Sequence, residues 1–290
     1  MQETILITGA TGTVGNQIVK KLSNLNVRVR AGVHSIIKGE NLKYPNVELC
    51  EIEFHRPESL KAAFTGVDRA FIITPLAADQ VEMAKKLIDE AKSVGVKHVV
   101  RLSAAGAESE NPIQLGRWHR EVEDYLKASG LNYTILRPTS FMQNFVNFSG
   151  NTIRNENAIY MPLGEGKVSY IDVRDIAAVA DCVLTSEAYY NQELNITGPE
   201  PISVQEIAQV LSEATGQPVK YIDVPEETAY QSMLQAQMPE WMARAMMELH
   251  QVAKAGHAGI VTDTVERVTG HKPYTFREFA RQHAECFLPE

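Results

Sequence analysis

Short apolar runs alternate with amphipathic stretches through the first half of the chain, up to about Pro138. Short runs bounded by turn residues are typical of buried strands, and apolar residues spaced three and four apart are typical of helices. Such an alternation predicts a parallel, doubly wound sheet with helices between its strands. The predicted strands are 4–8, 27–33, 47–52, 70–74, 98–103 and 133–137, and the clearest helices are 79–94 and 118–128.

The pattern becomes less regular in the second half. It predicts a helix over 141–154, a turn at 164–166, and an apolar helix over 175–184 that returns to the main sheet. Ser203 and Thr275 each stand three residues before a glutamate, which is the spacing of a capping box. We therefore expect helices to begin at 204 and 276.

These patterns predict two domains. The main domain comprises 1–140, with 167–198 returning to it, and a smaller, mostly helical lobe comprises 141–166 and 199–290. Methionine fills irregular apolar space and adapts to varied ligands, so a methionine-rich part of the lobe has two interpretations. It is either a helical lobe packed on itself or the wall of a substrate pocket. The methionines are Met233, Met238, Met242, Met246 and Met247.

Composition and charge narrow the functional classes. The chain has 290 residues, 44% hydrophobic and 22% charged, as in ordinary soluble globular proteins. Its net charge is -8 and it has no lysine or arginine block, which argues against nucleic acid as a direct partner. No apolar stretch reaches membrane-spanning length, and the first residues lack the pattern of a signal peptide. We therefore expect no membrane association and a cytoplasmic location.

Cysteine and histidine give no sign of a metal site. Cys50, Cys182 and Cys286 are far apart and odd in number, which predicts reduced, buried thiols without a disulfide framework. The eight histidines show no H-x-x-x-H spacing and no cluster with cysteine. No metal is therefore expected, while association with a second copy or with a protein partner stays open.

Three glycines follow the first predicted strand and precede an amphipathic helix, within Thr-Gly-Ala-Thr-Gly-Thr-Val-Gly at 8–15. Gly9 permits a tight turn, Gly12 lets the backbone approach a pyrophosphate, and Gly15 lets the helix pack closely on the strand. The phosphate charge would meet free N–H groups at the positive end of the helix. The context favours a dinucleotide-binding turn over a turn that only requires a positive φ.

Ligands of doubly wound sheets bind outside the carboxyl ends of the strands. The residues just after each predicted strand are therefore the expected cofactor contacts. They are Gly9, Ala10, Thr11, Gly12, Thr13, Val14 and Gly15 in the glycine turn, His34, Ser35 and Lys38 after the second strand, Glu53, Phe54, Thr74, Pro75 and Leu76 after the third and fourth, and Ser103, Ala104, Pro138 and Phe141 after the fifth and sixth.

The residues at the end of the second predicted strand distinguish a site for NAD from a site for NADP. An Asp or Glu there usually marks NAD by bonding the ribose 2′-hydroxyl, and the segment 33–39 contains no acid. His34, Ser35 and Lys38 could instead accept a 2′-phosphate, so NADP(H) is favoured over NAD(H). Selectivity should be modest because histidine is a pH-dependent phosphate partner, and an ordinary loop histidine remains the alternative. Arg30 lies roughly 13 Å before the strand end and is expected to point to solvent.

Motifs along nearly the whole chain carry a resemblance to one family. Besides the glycine turn they are Glu53-Phe54, Ile73-Thr74-Pro75, Leu102-Ser-Ala-Ala-Gly106, the segment 129–138 leading to Phe141-Met-Gln-Asn144, and Tyr170-Ile-Asp-Val-Arg-Asp-Ile-Ala177. The chain resembles the atypical short-chain dehydrogenases/reductases of the NmrA-like branch, and is similar to triphenylmethane reductases and NAD(P)H:quinone oxidoreductases. The resemblance implies a Rossmann-like fold with a smaller C-terminal substrate lobe. It is specific to the branch and much less specific to a reaction.

The chain departs from the proton-transfer apparatus of that superfamily, a Tyr-x-x-x-Lys pair on the helix after the fifth strand, working with a serine. Ser103 takes the serine position. Alignment of the helix on Glu123 puts His119 at the lysine position and Leu115 at the tyrosine position. Leucine cannot donate or accept a proton, so tyrosine-dependent chemistry loses its general acid/base. Tyr125 lies beyond Glu123 on the same helix and is expected to face elsewhere.

The candidate catalytic residues are His119, Ser103 and Asn144. His119 could bond a nicotinamide ribose hydroxyl or relay a proton, and a helix histidine satisfied by a neighbour is the favoured alternative. Asn144 either presents its amide to the substrate or makes a helix-end hydrogen bond. Ser103 is expected to position the backbone near the nicotinamide.

Two functions of different classes follow. An NAD(P)H-dependent reductase can act without the tyrosine when its small-molecule acceptor carries its own electron sink, as a quinone, azo compound or cationic dye does. The alternative is an NmrA-like redox-sensing regulator, which binds the dinucleotide without turnover and contacts a partner protein. A tyrosine-dependent epimerase or reductase is disfavoured by Leu115.

Overall fold

The computed structural model describes residues 2–289, which form two compact units. A parallel sheet organises the first unit, and the second is mostly helical. The first unit comprises the chain up to Pro112 together with Gly116–Arg137 and Ile176–Asn195, and the second comprises Ile113–Leu115, Pro138–Asp175 and the chain from Ile196 onward.

Seven of the strands form one sheet, in the order β3-β2-β1-β4-β5-β6-β9, and neighbours from β3 to β6 pair in parallel. The first strand of the chain thus lies between β2 and β4, and the strand order reverses beside it. This is the doubly wound arrangement that the alternating pattern predicts, so the fold class is confirmed. Over residues 2–289 the strands are β1 Thr4–Ile7, β2 Arg28–Val33, β3 Val47–Glu51, β4 Arg69–Ile72, β5 His98–Leu102, β6 Asn132–Pro138, β7 Ala158–Met161, β8 Lys167–Val168, β9 Gln192–Ile196, β10 Ile202–Ser203 and β11 Lys220–Asp223.

Helices connect the strands of the sheet and make up most of the second unit. Over the same residues they are α1 Thr13–Leu22, α2 Pro57–Phe64, α3 Gln80–Ser93, α4 Gln114–Ala128, α5 Asn144–Asn147, α6 Gly150–Glu156, α7 Val173–Leu184, α8 Val204–Thr215, α9 Glu226–Gln235, α10 Glu240–Lys254, α11 Thr264–Thr269 and α12 Phe276–Gln282. Short 3-10 helices span Ile37–Leu42, Glu187–Tyr189 and Ala284–Phe287.

One core of the first unit lies between the sheet and helices α2, α3 and α4. Leu6 of β1 packs there with Phe64, Leu87 and Leu126, one from each helix, and all four are fully buried. Burial of a side chain of this size stabilises the fold by roughly 1.5–3 kcal/mol. The core holds the strand ends, and therefore the residues that follow them, in fixed positions.

The second unit has its own core and two small sheets, β10 with β8 and β11 with β7. The ring of Phe145 packs edge-on against Tyr170 and Phe276, with centroids 5.1 and 5.3 Å apart. Ser203 and Thr275 both form complete capping boxes, so α8 and α12 begin where the sequence predicted. Helix α9 buries none of its side chains fully.

Two helix boundaries differ from the predictions. The helix expected over 141–154 is divided into α5 and α6 around Gly150, because serine and glycine are poor residues for a helix interior. Helix α4 begins four residues earlier than expected, at Gln114. The Glu248 carboxylate accepts a hydrogen bond of 2.6 Å from the Gln114 N–H, a cap that comes from a distant part of the chain.

The three cysteines form no disulfide. Cys50, Cys182 and Cys286 are unpaired as expected, but all three are half-buried rather than buried. Among residues 2–289 no group of three or more His, Cys, Asp or Glu side chains is placed to hold a metal ion. No helix in the described part of the chain combines the length and apolar character needed to cross a lipid bilayer.

Candidate functional site

The turn after β1 is fixed by its neighbour β4. The hydroxyl of Thr8 donates to the Ile73 carbonyl at 2.7 Å and accepts from the Ile73 N–H at 2.8 Å, so the ends of these two strands are tied together. Gly9 follows with φ +60°, a conformation that side chains rarely adopt. The Ala10 N–H donates to the Gly32 carbonyl of β2 at 3.0 Å. The turn is thus anchored on both sides.

Close packing explains why positions 12 and 15 are also glycine. A Cβ at Gly15 would lie 2.3 Å from the Gly9 carbonyl oxygen, so only glycine lets α1 start this near the turn. A Cβ at Gly12 would lie 3.2 Å from the same oxygen. Thr11, Gly12 and Thr13 are exposed, and the first turn of α1 contains no acidic residue. Exposed backbone at the positive end of a helix without a competing carboxylate fits a pyrophosphate.

The end of β2 presents polar side chains to solvent. His34 and Lys38 are exposed, and Ser35 is half-buried. Arg30 does not point to solvent as predicted: its guanidinium donates to the carbonyls of Ala63 at 2.9 Å and of Thr65 at 2.7 Å. The carbonyls at a helix C-terminus attract a cation, and those at the end of α2 hold Arg30 away from the strand end.

The ends of β3 and β4 differ in how tightly their residues are held. The Glu53 N–H donates to Ser59 at 2.9 Å, and the Glu53 carboxylate pairs with Arg56 at 3.2 Å. Phe54 packs against the core of the first unit. After β4, the Thr74 hydroxyl accepts from Arg101, while Pro75 and Leu76 are exposed. Ala104, after β5, is half-buried.

A buried network engages Ser103 at the end of β5. Its hydroxyl donates to the Glu123 carboxylate at 2.5 Å, and Glu123 also accepts from Arg137, whose Nε lies 2.9 Å away. Arg137 pairs with Glu193 as well. Burial alone would lower the pKa of Arg137, but these two carboxylates raise it. Ser103 is therefore bound to a carboxylate, which suits the expected positioning role and not that of an acid.

His119 has one ring nitrogen without a partner. Its Nδ1 is inaccessible to solvent and forms no hydrogen bond within the part of the chain that the structure describes. Burial, reinforced by the Arg101 charge, lowers the pKa of His119 to about 3. The imidazole is consequently neutral at physiological pH, where it can exchange a hydrogen bond with a ligand but cannot act as a charged acid.

Arg101 is a member of this site that the sequence patterns did not single out. It is 2% exposed, and its guanidinium donates to the Ile72 carbonyl at 3.1 Å and to the Thr74 hydroxyl at 3.3 Å. Its Nε forms no hydrogen bond. Burial lowers the pKa of Arg101 to about 10, although the Glu123 charge opposes the shift. The available signal was a charged residue inside the apolar run of β5.

The remaining predicted residues belong to the second unit. Pro138 is buried, Phe141 pairs with Ile171 in an isolated bridge, and Asn144 begins α5 with its N–H donating to the Phe141 carbonyl at 3.1 Å. In the first unit, Tyr125 faces α3, as expected, and donates to Asp89 at 2.7 Å. The structure thus brings the glycine turn, the strand ends, Ser103 and His119 together in the first unit, while Asn144 lies in the other.

Comparisons with known proteins extend over the whole chain. A family model described as the NmrA-like family matches residues 1–280. An NAD(P)H azoreductase from Xenophilus azovorans is 42% identical over 283 residues, which cover 98% of this chain and 99% of the relative. The triphenylmethane reductase of Citrobacter sp., solved with NADP(H), is 28% identical with a TM-score of 0.85, covering 97% of this chain and 99% of its own. An NADPH-dependent quinone oxidoreductase from Escherichia coli, 23% identical, shares the fold with a TM-score of 0.86 over 96% of this chain and 99% of its own.

Proposed function

The chain belongs to the NmrA-like family, and on that premise we propose that it is an NAD(P)H-dependent reductase of an electron-poor small molecule. The observation that carries the proposal is the 42% identity to an NAD(P)H azoreductase, which extends over 98% of the chain and 99% of the relative. The triphenylmethane reductase of similar structure supports the same reaction class. These relatives favour the reductase over the alternative of a non-catalytic regulator.

We assign the cofactor to the carboxyl ends of the strands in the first unit. The turn around Gly12 holds the pyrophosphate, because its glycines leave room for close approach and Thr11, Gly12 and Thr13 are exposed at the start of α1. His34, Ser35 and Lys38 bind a 2′-phosphate, which gives NADP(H) a modest advantage over NAD(H). Thr74 and Ser103 stand at the ends of β4 and β5 and border the nicotinamide position. The cofactor supplies a hydride when it is bound.

The side chains at the tyrosine, lysine and serine positions of the superfamily limit which acceptors can react. Leu115 has no proton to give, His119 is neutral with its pKa lowered to about 3 by burial and Arg101, and Ser103 donates to Glu123. None of these three groups is a good acid for an alkoxide leaving a ketone. An acceptor that stabilises added electrons itself, such as an azo compound or a quinone, requires only orientation and exclusion of water. We therefore propose azo compounds and quinones as the acceptor classes.

Substrate binding is proposed for the second unit, whose methionine-rich helices α9 and α10 provide adaptable apolar surface. Met233 and Met242 are half-buried. The cytoplasmic location and any association with a second copy or a protein partner stay predictions from the sequence.

The test is turnover with a panel of acceptors. The purified protein is mixed with NADPH or NADH and with azo dyes, quinones, triphenylmethane dyes and simple ketones, and the loss of reduced-nicotinamide absorbance is followed. We expect acceptor-dependent loss with at least one electron-poor class, faster with NADPH, and none with ketones. Cofactor binding without turnover of any acceptor would contradict the reductase and support the regulator.

A further inference from the structure

Arg101 carries a buried positive charge that no carboxylate among residues 2–289 neutralises at close range. Its hydrogen bonds go to the Ile72 carbonyl and to the Thr74 hydroxyl, both uncharged acceptors. Glu123, the carboxylate that acts on it from a distance, is already bound to Ser103 and Arg137. A buried charge without an ion pair is costly, so its presence requires an explanation.

The other buried arginines of the first unit are paired. Arg69 is 5% exposed and its Nε lies 3.0 Å from the Glu3 carboxylate. Arg137, also 5% exposed, binds Glu123 and Glu193. Both follow the usual rule that buried cations are matched with anions. Arg101 is the exception among these three, and it alone donates to the residues that end β4.

The position of Arg101 relates its charge to the proposed cofactor site. It lies two residues before Ser103 on β5 and donates to Thr74 after β4, so its guanidinium lies between two strand ends assigned to the nicotinamide. His119, at the lysine position of the superfamily, contributes no charge because Arg101 and burial keep it neutral. The positive charge of this site therefore comes from a strand and not from helix α4.

We propose that Arg101 makes the site select the reduced cofactor over the oxidised one, an inference that rests on the proposed function. The nicotinamide ring is neutral when reduced and positively charged when oxidised. A fixed positive charge beneath the strand ends raises the free energy of the oxidised complex and leaves the reduced complex almost unaffected. The same preference promotes release of the oxidised product. Arg101 acts through its electric field and is a positioning residue, not a catalytic one.

The experiment compares dissociation constants for NADPH and NADP+ in the wild type, Arg101→Met and Arg101→Lys, measured by calorimetry at one low ionic strength. We expect the wild type to bind NADPH at least about tenfold more tightly than NADP+, and Arg101→Met to reduce that ratio by about tenfold. Arg101→Lys should restore most of the ratio because it keeps the charge. Arg69→Met, at a buried arginine on the opposite edge of the sheet, is the matched control and should leave the ratio unchanged.

The other possible results would contradict either the role of Arg101 or the proposed function. Equal weakening of both forms in Arg101→Met would show a purely structural role and overturn the inference, as would a wild-type ratio near one. Absence of binding of either form to the wild type would overturn the proposed function instead. If Arg101→Met does not fold, Arg101→Gln replaces it as the neutral variant. If neither neutral variant folds, the wild-type ratio decides alone, because a ratio of tenfold or more supports the inference and a ratio near one overturns it.

Discussion

Buried charges are paired differently at the two ends of the strands in the seven-stranded sheet. We call the side where the parallel strands begin the amino edge and the side where they end the carboxyl edge. At the amino edge, Arg69 pairs with Glu3 at 3.0 Å, and Lys97 pairs with Asp68 at 2.8 Å. At the carboxyl edge, Arg137 pairs with Glu123 and Glu193, but Arg101 is buried with no carboxylate beside it among residues 2–289. Both edges leave a histidine Nδ1 without a hydrogen bond, so the difference lies in the pairing of charges and not in polar satisfaction as such.

We interpret the amino edge as the one that only stabilises the sheet, and the carboxyl edge as the one where the ligand is proposed to bind. An edge that only has to hold strands together can match its cations with anions, and the amino edge does so for Arg69 and Lys97. The edge where ligands bind in this fold keeps a charge that a ligand could use. Local violations of pairing rules are expected at functional sites, where stability is given up for chemistry. Three matched pairs of variants test this difference between the edges.

The largest effect is expected from Glu123→Gln. This change removes the buried carboxylate beside Arg137, and loss of one partner from a buried pair costs about 3 kcal/mol or more in the free energy of unfolding. Glu3→Gln is the matched change at the amino edge. Its side chain is 36% exposed, so its loss should cost below about 1 kcal/mol. Urea denaturation of both variants measures the difference. Equal losses would mean that the two edges are equivalent in stability.

A smaller effect concerns His119 and His98, whose Nδ1 atoms are both buried. Burial, with help from nearby arginines, lowers the pKa of His119 from 6.5 to about 3 and that of His98 from 6.5 to about 4. Below about pH 6.5 the unfolded chain binds protons that the folded chain does not, so stability falls as the pH falls toward 4. His119→Gln and His98→Gln should each reduce this loss by about 1 kcal/mol or more at pH 5.

Ligand affinity distinguishes these two histidines. Only His119→Gln, at the carboxyl edge, should also change cofactor affinity, by about fivefold, which is the value of one hydrogen bond. His98 bonds Thr134 at the other edge and serves as the control. Thermal unfolding from pH 4 to 8 and a cofactor titration at pH 7.5 measure the two effects. An unchanged acid response in both variants would contradict the neutral state of the rings.

The smallest effect is expected at the two ends of β2. His34→Glu places a carboxylate where a 2′-phosphate is proposed, and should reduce the preference for NADPH over NADH by about fivefold at low salt, because the site is exposed and screened. Arg28→Glu introduces the same charge at the exposed start of the strand and should leave the preference unchanged. Ratios of kcat/KM for the two cofactors test the pair. Unchanged selectivity in His34→Glu would remove His34 from the site.

Local signals were sufficient for the fold and for the glycine turn. The strand at 4–8, the glycines after it and the capping boxes at Ser203 and Thr275 depend on neighbours a few residues away, and the structure contains them where they were predicted. The start of α4 at Gln114 was missed because its cap comes from Glu248, more than a hundred residues later.

The hydrogen-bond networks between side chains at the site could not be predicted from such local sequence signals. The sequence places Ser103 at a strand end but does not show that Glu123 accepts its hydrogen bond, since the two meet only after α4 packs on the sheet. The burial of Arg101, and its lack of a carboxylate among the described residues, likewise depend on the neighbours that β4, β5 and α4 bring together.

Helix α9 has a practical consequence for engineering. It spans ten residues and buries none of them fully, so substitutions along it are expected to change stability by roughly 0.5 kcal/mol or less. A library randomised there would lose few members to misfolding, and most variants could be screened for colour loss in living cells. Redesign of acceptor range would therefore best begin on α9, while the sheet keeps its sequence.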